Sequence, residues 1–393
     1  VASAWHDPAF PYTNANMIRA HRIHGLDTLR ALAVTLVVLH HYVLFVSDAP
    51  TFGWVGEIGW AGVDLFFALS GYLIGNQIFK ALGSRGGFSL RHFYARRLLR
   101  TLPNFWAVLA LYALWPAFRG DAPLLPLWRY LSFTQNIHLE PGTAFSHAWS
   151  LCIEEQFYML LPLLAVIGAG RRARLRWAWL AIGAALLAGM AVRAQAWLDL
   201  PQDADRLHHY YKYVYYASWC RFDELLAGVA LALLKNRHGV AWHRITAHGN
   251  ALLAAGALVT GSAVLLFLRE HYGMAATVFG YPLLALGMSL LVLAALAPGS
   301  LLHRVRVPGA SRLALWSYAI YLVHKQVCVM LAGPLASAGY GPEDWRAIAL
   351  SLAASVAAGW LLYRLVEAPV MALRERLVPD NAPAPQGALS APR

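Results

Sequence analysis

Charge is scarce in this chain. Only 13% of its 393 residues are Asp, Glu, Lys or Arg while 59% are hydrophobic, and a mean hydropathy of +0.48 excludes an ordinary water-soluble globule. Cysteine is scarcer still: Cys152, Cys220 and Cys328 stand apart, with no CxxC pair. That argues against a disulfide framework or a thiolate zinc site and leaves three small core residues. Residues 1–24 lack a cleavable-signal pattern, being polar and aromatic, so the first apolar run is expected to be its own insertion signal. Neither an internal repeat nor a soluble domain is visible. Any chemistry is therefore expected inside a helical bundle or at its two faces.

What the chain does have is long apolar runs. Ten windows suit a bilayer crossing of about 17–25 residues: 28–47, 59–80, 102–118, 148–168, 174–198, 217–235, 249–268, 275–297, 313–333 and 345–366. The expected fold is an all-α, polytopic membrane bundle of about ten transmembrane helices. The basic residues test this map independently, because cytoplasmic loops hold the Lys and Arg excess. Counted from an inside N-terminus, the inner segments carry 23 of the 32 basic residues, including Lys80, Arg91, Arg96, Arg97, Arg100, Arg304, Arg306, Arg374 and Arg376. An even number of spans with both termini cytoplasmic follows. The net charge of +12 is then a topology signal that calls for no nucleic-acid partner, only the lipid bilayer. The expected organisation is a cytoplasmic N-terminal segment (1–24), a transmembrane domain (25–370) and a cytoplasmic tail (371–393), disordered where Pro, Ala and Ser accumulate from Pro379 onward.

Polar residues inside these runs are costly and normally face a protein-lined or watery interior. Arg30 and His41 lie eleven residues apart, which returns to within roughly 20° on a helix and separates them by about 16 Å along one face. His40 points some 80° away. The alternative is an arginine snorkelling to head groups and a histidine satisfied by a neighbouring helix.

With directions assigned to the helices, the polar groups form two layers. In the cytoplasmic layer lie Arg30 and the run Phe93-Tyr-Ala-Arg-Arg-Leu-Leu-Arg-Thr-Leu-Pro103, whose Arg96, Arg97 and Arg100 fall three and four apart. Guanidiniums so placed suit bidentate phosphate binding, or equally an anchor to anionic lipid. In the outer half lie His41, Asp64, Glu154, Glu155, Arg221 and Asp223, with His324 and Lys325 nearer the middle of their helix. Arg221 with Asp223 could be a purely structural pair. So many charges on separate helices imply a polar cavity opening outward. Ser70-Gly71, in mid-membrane, permits close backbone approach by a neighbouring helix or a ligand.

Together these segments resemble the acyltransferase-3 family of bacterial integral-membrane acyltransferases, along nearly the whole chain. Gly25-Leu-Asp-Thr-Leu-Arg-Ala-Leu-Ala33 followed by His41 is similar to its first-helix motif. Gly62-Val-Asp-Leu-Phe-Phe-Ala-Leu-Ser-Gly-Tyr-Leu, Phe93 to Pro103 and Trp149-Ser-Leu-Cys-Ile-Glu-Glu-Gln-Phe-Tyr resemble the next three. Arg221-Phe-Asp-Glu-Leu, Ser317-Tyr-Ala-Ile-Tyr-Leu-Val-His324 and Val366-Glu-Ala-Pro369 complete the order. The second histidine, His40, departs from the pattern, and both the helical face and the motif spacing select His41.

The resemblance implies a bacterial inner-membrane enzyme that moves an acyl group, commonly acetyl, from cytoplasmic acyl-CoA to a hydroxyl. The acceptor would be a carbohydrate, glycolipid or small molecule on the other side. Acyl-CoA (acetyl-CoA first) is the expected donor, with no metal. Arg30, Arg96, Arg97 and Arg100, with Ser70, are expected to bind it. His41 is the natural general base, since an imidazole is available unprotonated near pH 7. Glu154 or Asp64 would orient it, with Glu155, Arg221, Asp223 and His324 on the acceptor side or structural. A covalent acyl-enzyme on His41 or Ser70 is the competing route. A transporter with a buried charge relay is the rival class; it leaves unexplained why arginines cluster at one mouth.

Overall fold

The computed structural model describes residues 23–84, 87–170 and 175–381. Ten long helices organise them: α1 His24–Tyr42, α2 Ala61–Leu82, α3 Leu90–Leu114, α4 Trp149–Gly170, α5 Leu175–Leu198, α6 Asp223–Arg237, α7 Gly249–Glu270, α8 Tyr281–Leu296, α9 Ala310–Ser337 and α10 Trp345–Leu362. No strand occurs among the described residues. The all-α membrane bundle is thus the observed architecture.

Among the described residues eight helical segments, rather than ten, are long and apolar enough to cross a membrane. The other two expected spans are helical but fail for physical reasons. In α3 the first turns carry Arg96, Arg97 and Arg100 ahead of the apolar stretch, and α6 has only 15 residues. At about 1.5 Å per residue α6 is shorter than the hydrocarbon core. It is nonetheless wedged into the bundle against α2. A Cβ on Gly71 would come within 2.0 Å of the Leu225 carbonyl oxygen, and one on Gly228 within 2.3 Å of that of Ala68. Glycine at both positions lets the two backbones touch, so the Ser70-Gly71 step serves helix packing.

α2 sits centrally, packed by α1, α4, α6 and α8, while α9 lies along α1 and α10 along α9. By contrast, α5 buries only Gly189 and Arg193 and exposes the rest of its apolar surface, as a lipid-facing helix does. Helix ends follow local chemistry. Ser89 caps α3 by accepting the His92 N–H at 3.3 Å, and Asp344 caps α10 by accepting the Arg346 N–H at 2.8 Å. α1 continues through a π-helical turn, Val43–Ser47, and α10 through another, Tyr363–Glu367, into the helix Ala368–Leu377.

Of the expected tail, the described part is ordered against α3. Arg96 pairs with Glu375 and donates to the Val378 carbonyl at 2.7 Å, and Asn381 bonds both backbone groups of Ser89. Residues 1–22 and 382–393, which hold most of the expected N-terminal segment and the Pro-rich end, lie outside the described residues.

Before α4, Phe145 adopts a left-handed backbone (φ 56°), uncommon for a residue with a Cβ. Its ring is fully buried, 4.9 Å from Tyr112 and 5.2 Å from Phe105, and this packing holds the turn that presents Ser146 and His147 to the bundle interior.

Candidate active site

Three cavities follow one another through the bundle. The first, of about 260 Å³, opens at the arginine-rich end and is lined by Lys80, Arg96, Arg97 and Arg374 together with the Asp380-Asn381 segment. The second, of about 110 Å³, lies between α1, α2, α3, α4 and α9 and is lined by Arg30, Ser70, Arg97, Arg100, Glu154, Glu155 and Tyr318. The third, of about 40 Å³, holds His40, His41, Ser146, His147 and an aromatic wall that includes Trp149 and Tyr215. Arg97 lines the first and second. Val63 and Tyr321 line the second and third. Arg97 thus stands between the first and second chambers, and Tyr321 with Val63 between the second and third.

Arg30 lines the middle chamber and His41 the last, and both lie on α1. Arg97 and Arg100 join Arg30, whereas Arg96 turns to the C-terminal segment. The three guanidiniums of the middle chamber are not equivalent. Arg100 is neutralised by Glu367 at 2.6 Å, and Asn104 donates to the same carboxylate at 2.7 Å. Arg30 and Arg97 form no ion pair among the described residues; the Arg97 guanidinium instead lies 4.1 Å from the centre of the Tyr158 ring. Both guanidiniums share the cavity with the Glu154 and Glu155 carboxyl groups.

The carboxylates expected near His41 are engaged elsewhere. Glu154 accepts from Ser70 at 3.0 Å and from the Tyr158 hydroxyl, and Glu155 accepts from Thr101 at 2.8 Å. Asp64 pairs with Arg221 at 2.5 Å, both fully buried, beneath the rings of Trp149, Tyr215 and Tyr281. Asp223 does not pair with Arg221. It takes two bonds from Arg193 of α5, one of 3.0 Å, so a residue read as part of a lipid-facing helix is buried as a structural cation.

His41 instead meets His324. Its Nδ1 lies 2.7 Å from His324 Nε2, with the rings within 6° of coplanar and their centres 4.9 Å apart, as an in-plane bond requires. The tautomers follow. A carbonyl can only accept, so His324 Nδ1 donates to Ile320 O at 3.0 Å, leaving Nε2 of the neutral ring as acceptor. His41 Nδ1 then donates to it, and His41 Nε2 keeps its lone pair. His40 is tied to Gly56 O at 2.9 Å. A third imidazole, His147, stands 5.9 Å from His41 and 5.6 Å from His324, centre to centre, and donates through Nε2 to Leu322 O at 3.2 Å. Among the described residues no group of three or more His, Cys, Asp and Glu side chains is placed to hold a metal ion.

Sequence reasoning missed His147, Tyr158, Tyr321 and Arg374 as lining residues. Tyr158 and Tyr321 lie within runs already singled out as unusual, which was a signal. His147 precedes its span and Arg374 follows the last, so neither looked buried or expensive.

A family model described as an acyltransferase domain matches residues 23–364. The chain belongs to the acyltransferase-3 family. Among curated relatives, a Bacillus subtilis (strain 168) protein provisionally named peptidoglycan O-acetyltransferase YrhL is 30% identical over 376 residues, 89% of this chain and 55% of the relative. The peptidoglycan O-acetyltransferase OatA of Listeria monocytogenes serovar 1/2a is 26% identical over 372 residues, 88% of this chain and 55% of the relative. The chain therefore spans just over half the length of these family members. No solved structure matches it.

Proposed function

We propose that this acyltransferase-3 protein transfers an acyl group, acetyl first among candidates, from cytoplasmic acyl-CoA to a hydroxyl of an extracytoplasmic carbohydrate or related acceptor. Its place is the bacterial inner membrane, with the arginine-rich end and both termini cytoplasmic, a reading the distribution of basic residues supports. The observation that carries the reading is the series of three chambers, basic at one end and ending at an imidazole with a free lone pair.

The donor's nucleotide phosphates take the first chamber, where Lys80, Arg96, Arg97 and Arg374 supply positive charge. Its narrow pantetheine arm passes Arg97 into the middle chamber, which Arg30 and Arg97 line. The thioester then reaches the Tyr321 partition from one side and the acceptor hydroxyl from the other. His41 Nε2 removes the hydroxyl proton as the oxygen attacks the thioester carbonyl, the C–S bond breaks, and the imidazolium returns the proton to the departing thiolate, which leaves as CoA thiol toward the cytoplasm. His324 does for His41 what a carboxylate does in a Ser-His-Asp triad, fixing tautomer and ring plane, but without a full negative charge. Direct transfer is preferred to an acyl-serine because Ser70 lies in the middle chamber, bonded to Glu154 and on the far side of the partition from His41.

The test is CoA thiol release from acetyl-CoA by purified protein in nanodiscs, with cell-envelope glycans as trial acceptors. Glycan-dependent release that disappears in His41→Ala is the expected result. Release at the wild-type rate in that variant removes His41 from the chemistry, and failure to bind CoA at all removes the donor assignment.

A further inference from the structure

One charged group near the reaction chamber has no use in the scheme above. Lys325 is 9% exposed, and its Nζ lies 3.3 Å from Ser146 Oγ and 4.0 Å from the centre of the Phe45 ring. Ser146 and Phe45 both line the His41 chamber, and the ammonium packs against both of them. It forms no ion pair among the described residues, and no Asp or Glu lines the chamber. The other buried cations of this half behave differently: Arg221 and Arg193 each have a carboxylate. A buried ammonium without a counter-ion is costly unless a bound partner supplies the missing charge. A hydroxyl and an aromatic face stabilise it only in part.

Resting on the acyl-transfer reading for the identity of this chamber, we propose that its acceptor carries an anionic group, a carboxylate or a phosphate, which binds Lys325 and places the neighbouring hydroxyl against His41. The hydroxyl of Ser146 and the imidazole of His147 flank the same position. The bound acceptor thus neutralises Lys325, so the chamber discriminates by charge before any chemistry occurs.

Binding is measured by isothermal titration on the full chain in nanodiscs, which needs no turnover. Three oligosaccharides of matched length serve as probes: a uronate-containing one, a phosphodiester-bearing one and a neutral one. Wild type should bind at least one anionic probe about thirtyfold more tightly than the neutral one; which one identifies the anion. Lys325→Gln should erase that difference, and Lys325→Arg should keep it. Detergent melting curves check that Lys325→Gln folds, and if it does not, the wild-type preference and Lys325→Arg still decide. Equal binding of neutral and anionic probes by wild type overturns the proposal, as does discrimination that survives in folded Lys325→Gln. Acetyl transfer to the same probes is assayed separately. Charge-selective binding without transfer would overturn the acyl-transfer reading while the anion site stands. Transfer that falls equally on neutral and anionic acceptors in Lys325→Gln would instead assign the ammonium to the reacting carbonyl and overturn this proposal.

Discussion

His324 holds His41 from a helix 283 residues further along the chain, Nε2 to Nδ1 at 2.7 Å, and is itself held by the carbonyl one turn before it. The relationship is directional: the Ile320 carbonyl sets the His324 tautomer, which sets that of His41. Removing the base should lower kcat by about 10²–10⁴-fold in His41→Ala. Removing its orienter should cost less, about 10–100-fold in His324→Ala, with the KM for acyl-CoA unchanged. Because the two act as one unit, the double variant should be barely worse than His41→Ala alone. Additive losses would mean that they act independently.

Arg30 and Arg100 share a chamber but should fail differently. Arg30 forms no ion pair among the described residues, so Arg30→Ala should weaken acyl-CoA binding by about tenfold or more and leave the melting temperature near wild type. Arg100 neutralises Glu367, whose side chain is fully buried, so Arg100→Ala strands that carboxylate. A loss of up to about 3 kcal/mol of stability is expected, tempered by the partial exposure of Arg100. Arg100→Gln combined with Glu367→Gln should restore most of it. Melting curves and CoA titrations on the three variants separate the two roles.

Much of this is legible in the sequence, and what is not has a common cause. Periodicity reports which residues share a face of their own helix, so spacing alone pairs Arg30 with His41, and Arg97 with Arg100. It is silent on which other helix lies opposite. Hence His324 could be marked as a buried polar group but not as the partner of His41, while Glu154 and Asp64 were the natural guesses by charge. The same limit applies to Arg193, whose helix is apolar all round; only the position of α6 shows that it buries a cation against Asp223. The span count erred where charge or brevity, rather than apolarity, decides: α3 begins with arginines and α6 gains its place through Gly71 and Gly228.

Outside the membrane, Glu140 gathers Lys212 and His208 on the loop that precedes α4. The hydrogen bond from Lys212 holds the Glu140 carboxyl below the usual range. A carboxyl lowered in the folded state contributes stability above its unfolded pKa and loses it as pH falls through the folded one. Glu140 is nearly half exposed, so solvent screening limits the effect to about 1 kcal/mol or less. Wild type should therefore melt slightly above Glu140→Gln at pH 7, with the gap closing below about pH 4. A gap that widens on acidification would contradict the assigned pairing.

Asp64 and Arg221 make the strongest stability prediction, because neither reaches water and the surplus charge around them is negative. Asp64, Asp223 and Glu224 are three fully buried carboxyl groups facing two guanidiniums, Arg221 and Arg193. Both oxygens of Glu224 and Oδ2 of Asp64 lack a protein donor. The cluster therefore holds one more carboxyl group than it has guanidiniums. Removing one cation worsens the imbalance: Arg221→Met should cost about 3–5 kcal/mol. Asp64→Asn should cost less, since it removes negative charge and keeps a hydrogen-bonding group beside Arg221. Glu224→Gln, which removes the carboxyl group that has no ion pair among the described residues and keeps its shape, should melt near wild type. If Glu224→Gln instead lost as much as Arg221→Met, Glu224 would be a necessary member of the ion-pair cluster.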